Sequence, residues 1–345
     1  MTRHVVLITY GEPPTPAFPA QLRYSWRILL GLTRGIAPIP AVVLPAIALS
    51  RARLRWQLWT REHYGSPLES ITFSQAQALA VALERLDPRT AWRVHVAWEF
   101  RDPLLPAVLD SLPAHEPVHV LPMYVADSAF THEITRATVR RWQARRGGAG
   151  GVAPDVLPPL AAETVAGLCA RQIGSELERR AVGGPDWALV LAAHGTLLDP
   201  PRAIETGRTA TERVGAGVAR RLSDRFGMTV SGWLNHRYGG RWTEPAIEDA
   251  LRQVAARGFR RVVYYPFGFL ADNAESELEG RLALRAQGLE AVHLPCLNGD
   301  PELAAALARH VLAACAGDRE DDRPRAGVPS PATGAVTGST SARLP

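Results

Sequence analysis

A histidine and a short run of carboxylates are the residues of this sequence best suited to chemistry. His194 ends a nearly continuous apolar run and is followed by Gly195. Such a run is typical of a buried parallel strand, and open α/β sheets bind ligands at the carboxyl ends of their strands. An imidazole at that place can accept a proton near neutral pH or bind a metal ion. A histidine that is merely hydrogen-bonded into a turn is the alternative that position alone leaves open.

The acidic residues follow a second aromatic strand, within residues 264–279. Asp272 is a plausible helix N-cap. In a helix that starts there, Glu275 and Glu279 are four residues apart and share one face, so they could pass a hard cation inward. A capping arrangement, with Glu275 bonded to backbone donors and Glu279 in solvent, would leave the same pattern.

These side chains need a scaffold, and the sequence predicts an α/β fold. Short β-branched or aromatic runs alternate with segments of helical period, which is typical of parallel sheets flanked by helices. The predicted strands are 5–8, 94–98, 118–121, 188–192, 229–233, 262–265 and 291–294. The predicted helices include 74–86, with Ser74 as N-cap, 206–226, 244–257 and 301–314.

The two halves of the chain resemble each other, since residues 5–11 and 189–195 are both apolar runs that end in glycine. We therefore expect two similar Rossmann-like domains, over 1–160 and 161–316. The glycines of 147–151 lie between them and read as a linker, because no phosphate-loop spacing is present. The Gly, Pro, Ser and Thr content of 317–345 predicts a disordered tail.

Composition narrows the function further. The formal charge of +5 comes from arginines scattered along helices, without a nucleic-acid motif, so we expect an anionic small-molecule ligand and no nucleic acid. The three cysteines are widely spaced and cannot all pair, which argues against a disulfide framework or a cysteine zinc site. No secretion signal is evident at the start, and we expect a cytoplasmic protein.

The segment 28–50 is apolar enough to raise the question of a membrane contact. Arg34 and three prolines interrupt it, so a membrane-spanning helix is not expected. An apolar lip over a ligand, a shallow membrane contact that would make the protein membrane-associated, and a core helix with a loop all remain open.

Several motifs, in order along the chain, resemble those of the ferrochelatase family from residue 5 to about residue 314. They are the first strand and turn (8–13), the block Tyr64 to Leu68, the strand end Leu121 to Tyr124 with Ser128, the segment Ala193 to Thr196, the pair Trp233 and Trp242 with Pro245, and the segment Pro266 to Glu275.

The resemblance implies a chelatase-type fold and an enzyme that inserts Fe(II) into protoporphyrin IX or coproporphyrin III in haem biosynthesis. We expect a monomer. It implies His194 as base and first metal ligand, Glu275 as its partner across the porphyrin, and Glu279 as a relay for the metal. It also implies that the porphyrin contacts five further residues. These are Tyr10, Tyr124, Ser128, Trp233 and Trp242.

The sequence departs from the family pattern at several of these places. Asn273 stands where the family usually has histidine, and Ala283 stands where a third carboxylate of the metal ladder would fall. Three cysteines, none of them clustered in the tail, are too few for the four-cysteine iron-sulfur cluster of some family members, and none is expected. Tyr10 favours coproporphyrin, because a tyrosine lies against the metal at this place in that branch.

Three other functions remain possible at this stage. A cobalt or nickel chelatase for a sirohydrochlorin-type ring would share the fold. A tetrapyrrole-binding or haem-handling protein without catalysis would explain Asn273 and Ala283 as signs of lost activity. A nucleotide-binding α/β protein would need a phosphate loop, which the sequence lacks.

Overall fold

The computed structural model describes residues 2–35, 40–146, 151–200, 202–236 and 240–321. The strands are β1 (Thr2–Thr9), β2 (Ala91–Trp98), β3 (Val118–Pro122), β4 (Asp155–Val156), β5 (Gly184–His194), β6 (Phe226–Leu234), β7 (Arg261–Tyr265) and β8 (Glu290–His293). The helices are α1 (Phe18–Gly35), α2 (Leu44–Arg61), α3 (Leu68–Leu86), α4 (Leu105–Asp110), α5 (His132–Arg145), α6 (Ala162–Arg180), α7 (Arg208–Arg221), α8 (Ile247–Ala256), α9 (Gly280–Gln287) and α10 (Pro301–Asp321). A π-helix, Ala274–Glu279, precedes α9.

The strands form two parallel sheets with the same topology. The first has the order β2-β1-β3-β4 and the second has the order β6-β5-β7-β8, so that the first strand of each half lies inside its sheet. Both inner strands are buried along most of their length, because helices cover both faces of a parallel sheet. The predicted α/β class with two similar halves is confirmed.

All seven predicted strands are present, but several predicted boundaries are wrong. Helix α3 begins at Leu68, so Ser74 lies within the helix and does not cap it. Helix α7 ends at Arg221, because Phe226 already begins β6. The short strand β4 follows the expected linker, of which residues 147–150 lie outside the described residues. Helix α10 continues through Asp321, so 317–321 are helical, and the rest of the expected tail is not described.

The largest hydrophobic core joins the two halves of the chain. It includes Leu79 of α3, Leu121 of β3, Leu191 of β5 and Leu307 of α10, all buried. Gln75 of α3 also donates hydrogen bonds of 2.9 Å to the carbonyl oxygens of Leu270 and Asn298. The position of the first half relative to the second is therefore set by shared apolar packing and by these hydrogen bonds.

The apolar segment 28–50 forms the end of α1 and the start of α2, and its residues 36–39 are not described. Among the described residues no helix has the length and apolar character that crossing a bilayer requires. Val42, Leu49 and Leu54 nevertheless have exposed fractions of 85%, 51% and 61%.

Candidate functional site

His194 is the last residue of β5, at the carboxyl end of the second sheet. The preceding residues Trp187 to Ala193 are buried, whereas the imidazole is only partly buried. Its Nδ1 lies 2.6 Å from Oε2 of Glu275. The buried strand thus brings the histidine to the sheet edge, where it meets a carboxylate from the segment after β7.

Glu275 is held by the capping of the π-helix. The side-chain oxygen of Asn273 accepts hydrogen bonds from the backbone N–H groups of Glu275 (2.9 Å) and Ser276 (3.2 Å). The Ser276 hydroxyl accepts the backbone N–H of Asn273 in return, at 2.9 Å. This is a reciprocal capping box, and it satisfies donors that the start of a helix leaves free. Asn273, a departure from the family pattern, is the residue that starts the segment.

Asp272 is not the N-cap that the sequence predicts. Its carboxylate accepts the backbone N–H of Cys296 at 3.0 Å and the side-chain amide of Asn298 at 2.6 Å. These contacts draw the carboxylate towards the loop after β8, so the next residue caps the helix. The alternative prediction, that this segment begins with a capping arrangement, is correct. Its residues are wrong, because Asn273 and Ser276 form the cap and Glu275 does not.

The predicted placement of Glu275 across a porphyrin from His194 is wrong for this structure. A hydrogen bond of 2.6 Å joins the two side chains, so no ring can lie between them in this arrangement. The two residues lie on one side of the site because the π-helix returns to the edge of the sheet beside the end of β5. They can therefore act as a pair on the same incoming ion.

His236 is a third group at this place, and the sequence reasoning missed it. One ligand atom from each of His194, His236 and Glu275 lies within 4.8 Å of the others, close enough to hold one metal ion. The His236 ring is edge-on to His194, with centroids 5.3 Å apart. The sequence did contain a sign of this contact, because His236 comes just after the end of β6. In the sheet, His194 pairs with Leu234, which is two residues before His236.

Burial and charge act against each other in this cluster. Burial favours a neutral His194, but the Glu275 carboxylate outweighs it and raises the pKa of His194. Burial likewise opposes the charge of Glu275, yet His194 lowers the pKa of Glu275 to about 2. Burial lowers the pKa of His236 to about 4. The cluster therefore contains an ion pair beside a neutral imidazole.

Glu279 lies one turn further along the same segment. Burial, together with the nearby Glu275 carboxylate, raises the pKa of Glu279 to about 7. The predicted common face of Glu275 and Glu279 agrees with this mutual repulsion. The ladder ends there, because Ala283 is buried in the core beside Tyr264.

The first half of the chain contributes Tyr10, which follows β1. Its hydroxyl donates to the carbonyl oxygen of Phe130 at 2.6 Å, and its ring lies 5.0 Å from that of Tyr124. Burial raises the pKa of Tyr10, and Glu275 is the charge that adds most to this effect. Tyr10 and Tyr124 therefore belong to the same region as Glu275, although they come from the other sheet.

Ser128 has a local role in this region. Its hydroxyl oxygen accepts the backbone N–H of Phe130 at 3.1 Å and lies 3.0 Å from the Thr131 hydroxyl. The side chain is buried. Ser128 thus shapes the loop that accepts the hydrogen bond of Tyr10, and its predicted contact with a porphyrin is not needed to explain it.

The two predicted tryptophans have different surroundings. Trp242 is partly exposed, and its ring stands edge-on to His236 with centroids 5.2 Å apart. Trp233 is 5% exposed and packs into the main core with Ala193 and Val214. The prediction that Trp233 lines the site is therefore wrong, because strand alternation turns its side chain towards the helices that cover the sheet.

Two imidazoles and a carboxylate are ligands that suit Fe(II) and also Zn(II) and Co(II). His194 of this cluster and the neighbouring Glu279, whose pKa is about 7, are the groups suited to exchange protons near neutral pH. The arrangement can therefore hold a divalent ion and remove protons from a bound ligand at one place.

Comparison with known proteins agrees with this chemistry. A family model described as Ferrochelatase matches residues 3–314. The chain is 29% identical over 333 residues to a ferrochelatase of Stenotrophomonas maltophilia, covering 90% of this chain and 98% of the relative. It is 27% identical to a ferrochelatase of Xylella fastidiosa, covering 88% of this chain and 95% of that protein.

One solved structure supports the fold. It is CbiX, described as the terminal enzyme for biosynthesis of siroheme in denitrifying bacteria, with a TM-score of 0.51 and 19% sequence identity. The match covers 90% of this chain and 99% of CbiX.

Proposed function

Because this chain belongs to the ferrochelatase family, we propose that His194, His236 and Glu275 receive the iron that the enzyme inserts. The chain is accordingly an enzyme of haem biosynthesis, a lyase that forms metal–nitrogen bonds with a porphyrin. The observation that carries the proposal is the convergence of three ligand groups, from the ends of β5 and β6 and from the π-helix.

His194 is the base in this proposal. Insertion of Fe(II) replaces two pyrrole protons, so the site has to accept two protons while the metal enters. In the free site the Glu275 carboxylate keeps a proton on His194 by raising its pKa. An incoming cation beside Glu275 opposes that charge, so His194 releases this proton to solvent, and the neutral imidazole can then accept one of the two pyrrole protons. Glu275 is thus the switch between metal binding and proton transfer.

Glu279 relays the second proton or the metal. A carboxyl group whose pKa is about 7 can both accept and donate a proton near neutral pH. Its neighbour Glu275 sets that value jointly with burial, so the two carboxylates do not carry full charge together in the free site. A metal ion that enters between them would favour the charged form of both.

The proposed ring is coproporphyrin III. Tyr10 supports this choice, since it follows β1 beside Tyr124 and feels the charge of Glu275, and a tyrosine at this place is a feature of the coproporphyrin branch. Trp242 is a proposed wall of the ring site, beside His236. No iron-sulfur cluster is proposed, because the three buried cysteines belong to separate segments and four ligands are needed.

The test is anaerobic insertion of Fe(II) into coproporphyrin III and protoporphyrin IX, followed by absorbance. We expect His194→Ala and Glu275→Gln to lose turnover while porphyrin binding, measured by fluorescence quenching, is retained. His115→Ala, which removes an exposed histidine of the first half, is the matched control and should turn over normally. Normal turnover by His194→Ala would refute the role of His194, and preference for protoporphyrin IX would refute the choice of ring.

We also propose a shallow contact between a bilayer and the exposed apolar side chains of α2 and of the short turn of helix that precedes it. The supporting observation is the exposure of Val42, Leu49 and Leu54, with the charged Arg53 exposed beside them. Flotation with vesicles of phosphatidylcholine and phosphatidylglycerol should recover the wild type. Leu49→Ser with Leu54→Ser should weaken recovery, whereas Val81→Ser, at an exposed position of α3, should not. Equal recovery of all three proteins would exclude the contact. We propose a cytoplasmic monomer that reaches the membrane in this way.

A further inference from the structure

Glu12 is a buried carboxylate to which neither the motifs nor the proposed chemistry assigns a role. It follows β1 at the carboxyl end of the first sheet and is 6% exposed. A buried charge needs hydrogen bonds or an opposite charge. Glu12 has both, and they come from three segments that are far apart in the chain.

Its two oxygen atoms have different partners. Oε1 accepts the backbone N–H of Ala274 at 2.8 Å and the hydroxyl of Ser66. Oε2 accepts a hydrogen bond of 3.2 Å from the guanidinium of Arg55 on α2. Oε1 is therefore the atom that contacts the start of the π-helix, and Oε2 pairs with the positive charge of Arg55.

The loop that carries Glu12 has little freedom to move. Gly11 has a φ of +73°, and a Cβ built there would lie 2.6 Å from Cβ of Trp98, so the backbone passes close to β2. On the other side, the backbone N–H of Ser66 donates to the carbonyl oxygen of Pro14 at 3.1 Å. The Glu12 carboxylate is thus held by a rigid loop.

Ala274 is the residue through which the Glu12 loop contacts the candidate metal site. It is the first residue of the π-helix and directly precedes Glu275. Asn273 binds the N–H groups of Glu275 and Ser276, and Glu12 binds the N–H of Ala274. Three successive donors at the start of the helix are therefore satisfied, and the first of them by a residue 262 positions away.

We propose that Glu12 is a positioning residue for iron insertion: through Oε1 it fixes the start of the π-helix, and hence the Glu275 carboxylate, relative to the first half of the molecule. The proposal rests on the proposed role of Glu275 in receiving the metal. Supporting residues of this kind matter because a ligand has to be held within about 0.5 Å of its working position.

The test compares two double variants that differ only in the acceptor atom. Arg55→Met removes the buried cation from both proteins, so that a neutral residue at position 12 leaves no unpaired charge. Glu12→Gln in this background keeps an amide oxygen for Ala274, whereas Glu12→Ala removes it. Fe(II) and coproporphyrin III are varied separately to obtain kcat and KM for each. Because a displacement of about 1 Å can cost about 100-fold in rate, we expect kcat/KM for Fe(II) to be about 100-fold lower in the alanine variant.

The KM for coproporphyrin III should be equal in the two doubles, since Glu12 acts on the metal side. Equal kcat/KM for Fe(II) in the two doubles would overturn the proposal. If Glu12→Ala with Arg55→Met shows no cooperative thermal transition, Glu12→Asn with Arg55→Met replaces it, because the amide is kept but is one methylene too short to reach Ala274.

Glu275→Gln in the wild-type background separates this proposal from the one on which it rests. If that variant inserts iron normally, the role of Glu275 fails, and the role of Glu12 fails with it. If it loses kcat/KM for Fe(II) while the two doubles are alike, Glu275 retains its role and only the positioning by Glu12 is refuted.

Discussion

Two carboxylates, Glu275 in the second half and Glu99 in the first, differ in how the cost of burying their charge is offset. In the second half, the charge of the partly buried Glu275 is supported by His194, so its pKa is low although burial opposes the charge. Glu99, which follows β2 in the first half, accepts a hydrogen bond of 2.5 Å from the Thr135 hydroxyl and is weakly supported by the charge of Arg141, but it has no cation in hydrogen-bond contact among the described residues. Burial therefore prevails and raises the pKa of Glu99 to about 7. A neutral carboxyl group and an ion pair thus lie at equivalent ends of the two sheets.

Glu99 makes stability depend on pH. Between its ordinary pKa of 4.5 and the folded value of about 7, the folded protein keeps a proton that the unfolded chain has lost, so the free energy of unfolding falls as pH rises. Glu99→Gln removes this loss, and we expect the variant to gain about 2 to 3 kcal/mol relative to wild type between pH 4.5 and pH 8. Urea unfolding at several pH values measures it. A constant difference between the two proteins across this window would contradict the assignment.

The two tryptophans give opposite expectations. Trp233→Phe should lower the free energy of unfolding by about 1 to 3 kcal/mol, because it changes the volume of a packed core, and should leave the KM for porphyrin unchanged. Trp242→Ala should raise the KM for porphyrin about 3- to 10-fold, since it removes an aromatic contact of the proposed ring site. Steady-state kinetics and urea unfolding of both variants test this. A raised KM for porphyrin in the Trp233 variant would instead support the original prediction that Trp233 lines the ring site.

Among the elements, the π-helix decides where the carboxylates lie. Its i to i+5 hydrogen bonds widen the turn, and such turns are frequent at functional sites. The Asn273 cap and the Glu12 oxygen start it, and α9 continues it without interruption at Gly280. Gly280 has no space for a side chain, because a Cβ there would lie 2.5 Å from the Tyr264 hydroxyl. The element is therefore constrained at both ends.

Asn273→Ala should loosen the start of this element. Loss of an N-cap costs about 1 kcal/mol, and we expect that decrease in the free energy of unfolding together with a lower kcat/KM for Fe(II). Asn273→Ser retains a capping oxygen, so it should remain close to wild type in both measurements. Thermal unfolding and the iron insertion assay provide the comparison. If the serine and alanine variants were equally impaired, the capping interaction would not be the reason for Asn273.

Across the whole molecule, the two sheets share their largest hydrophobic core, and each sheet also packs against a smaller cluster from its own half. Helix α10, from the end of the chain, packs on α3 of the first half, and the buried side chains of both belong to one cluster. Because the halves are packed together in this way, residues of both can lie at one site. It also means that damage to the shared core should affect the complete fold.

Leu79→Ala tests this shared core. The side chain is fully buried in the shared core of α3 and α10, so its truncation should lower the free energy of unfolding by about 2 to 5 kcal/mol. Fluorescence and circular dichroism should report a single coincident transition. Val81→Ala, at a position of the same helix that is 66% exposed, is the control and should change stability little. Two separate transitions in either protein would show that the halves unfold independently.

The fold class and most of the elements could be predicted from the order of the amino acids alone. All seven predicted strands are present, because a run of apolar residues reports burial within one element without reference to the others. The same local information located His194 at a strand end, and it predicts that Glu275 and Glu279 share a helical face. It located boundaries less well, since Asp272 and Asn273 are both good caps. The choice between them depends on the partners of Asp272 in the loop after β8, which leave Asn273 to cap the helix.

Which of these residues come into contact could not be predicted in this way, because it depends on the folded arrangement of distant segments. The contact between His194 and Glu275 spans 81 positions, and that between Glu12 and Ala274 spans 262. Such contacts depend on the order of the strands and on where their carboxyl ends converge, and periodicity within an element carries no record of either. The inclusion of His236, the burial of Trp233 in the core and the hydrogen bond from Ala274 to Glu12 all follow from that convergence.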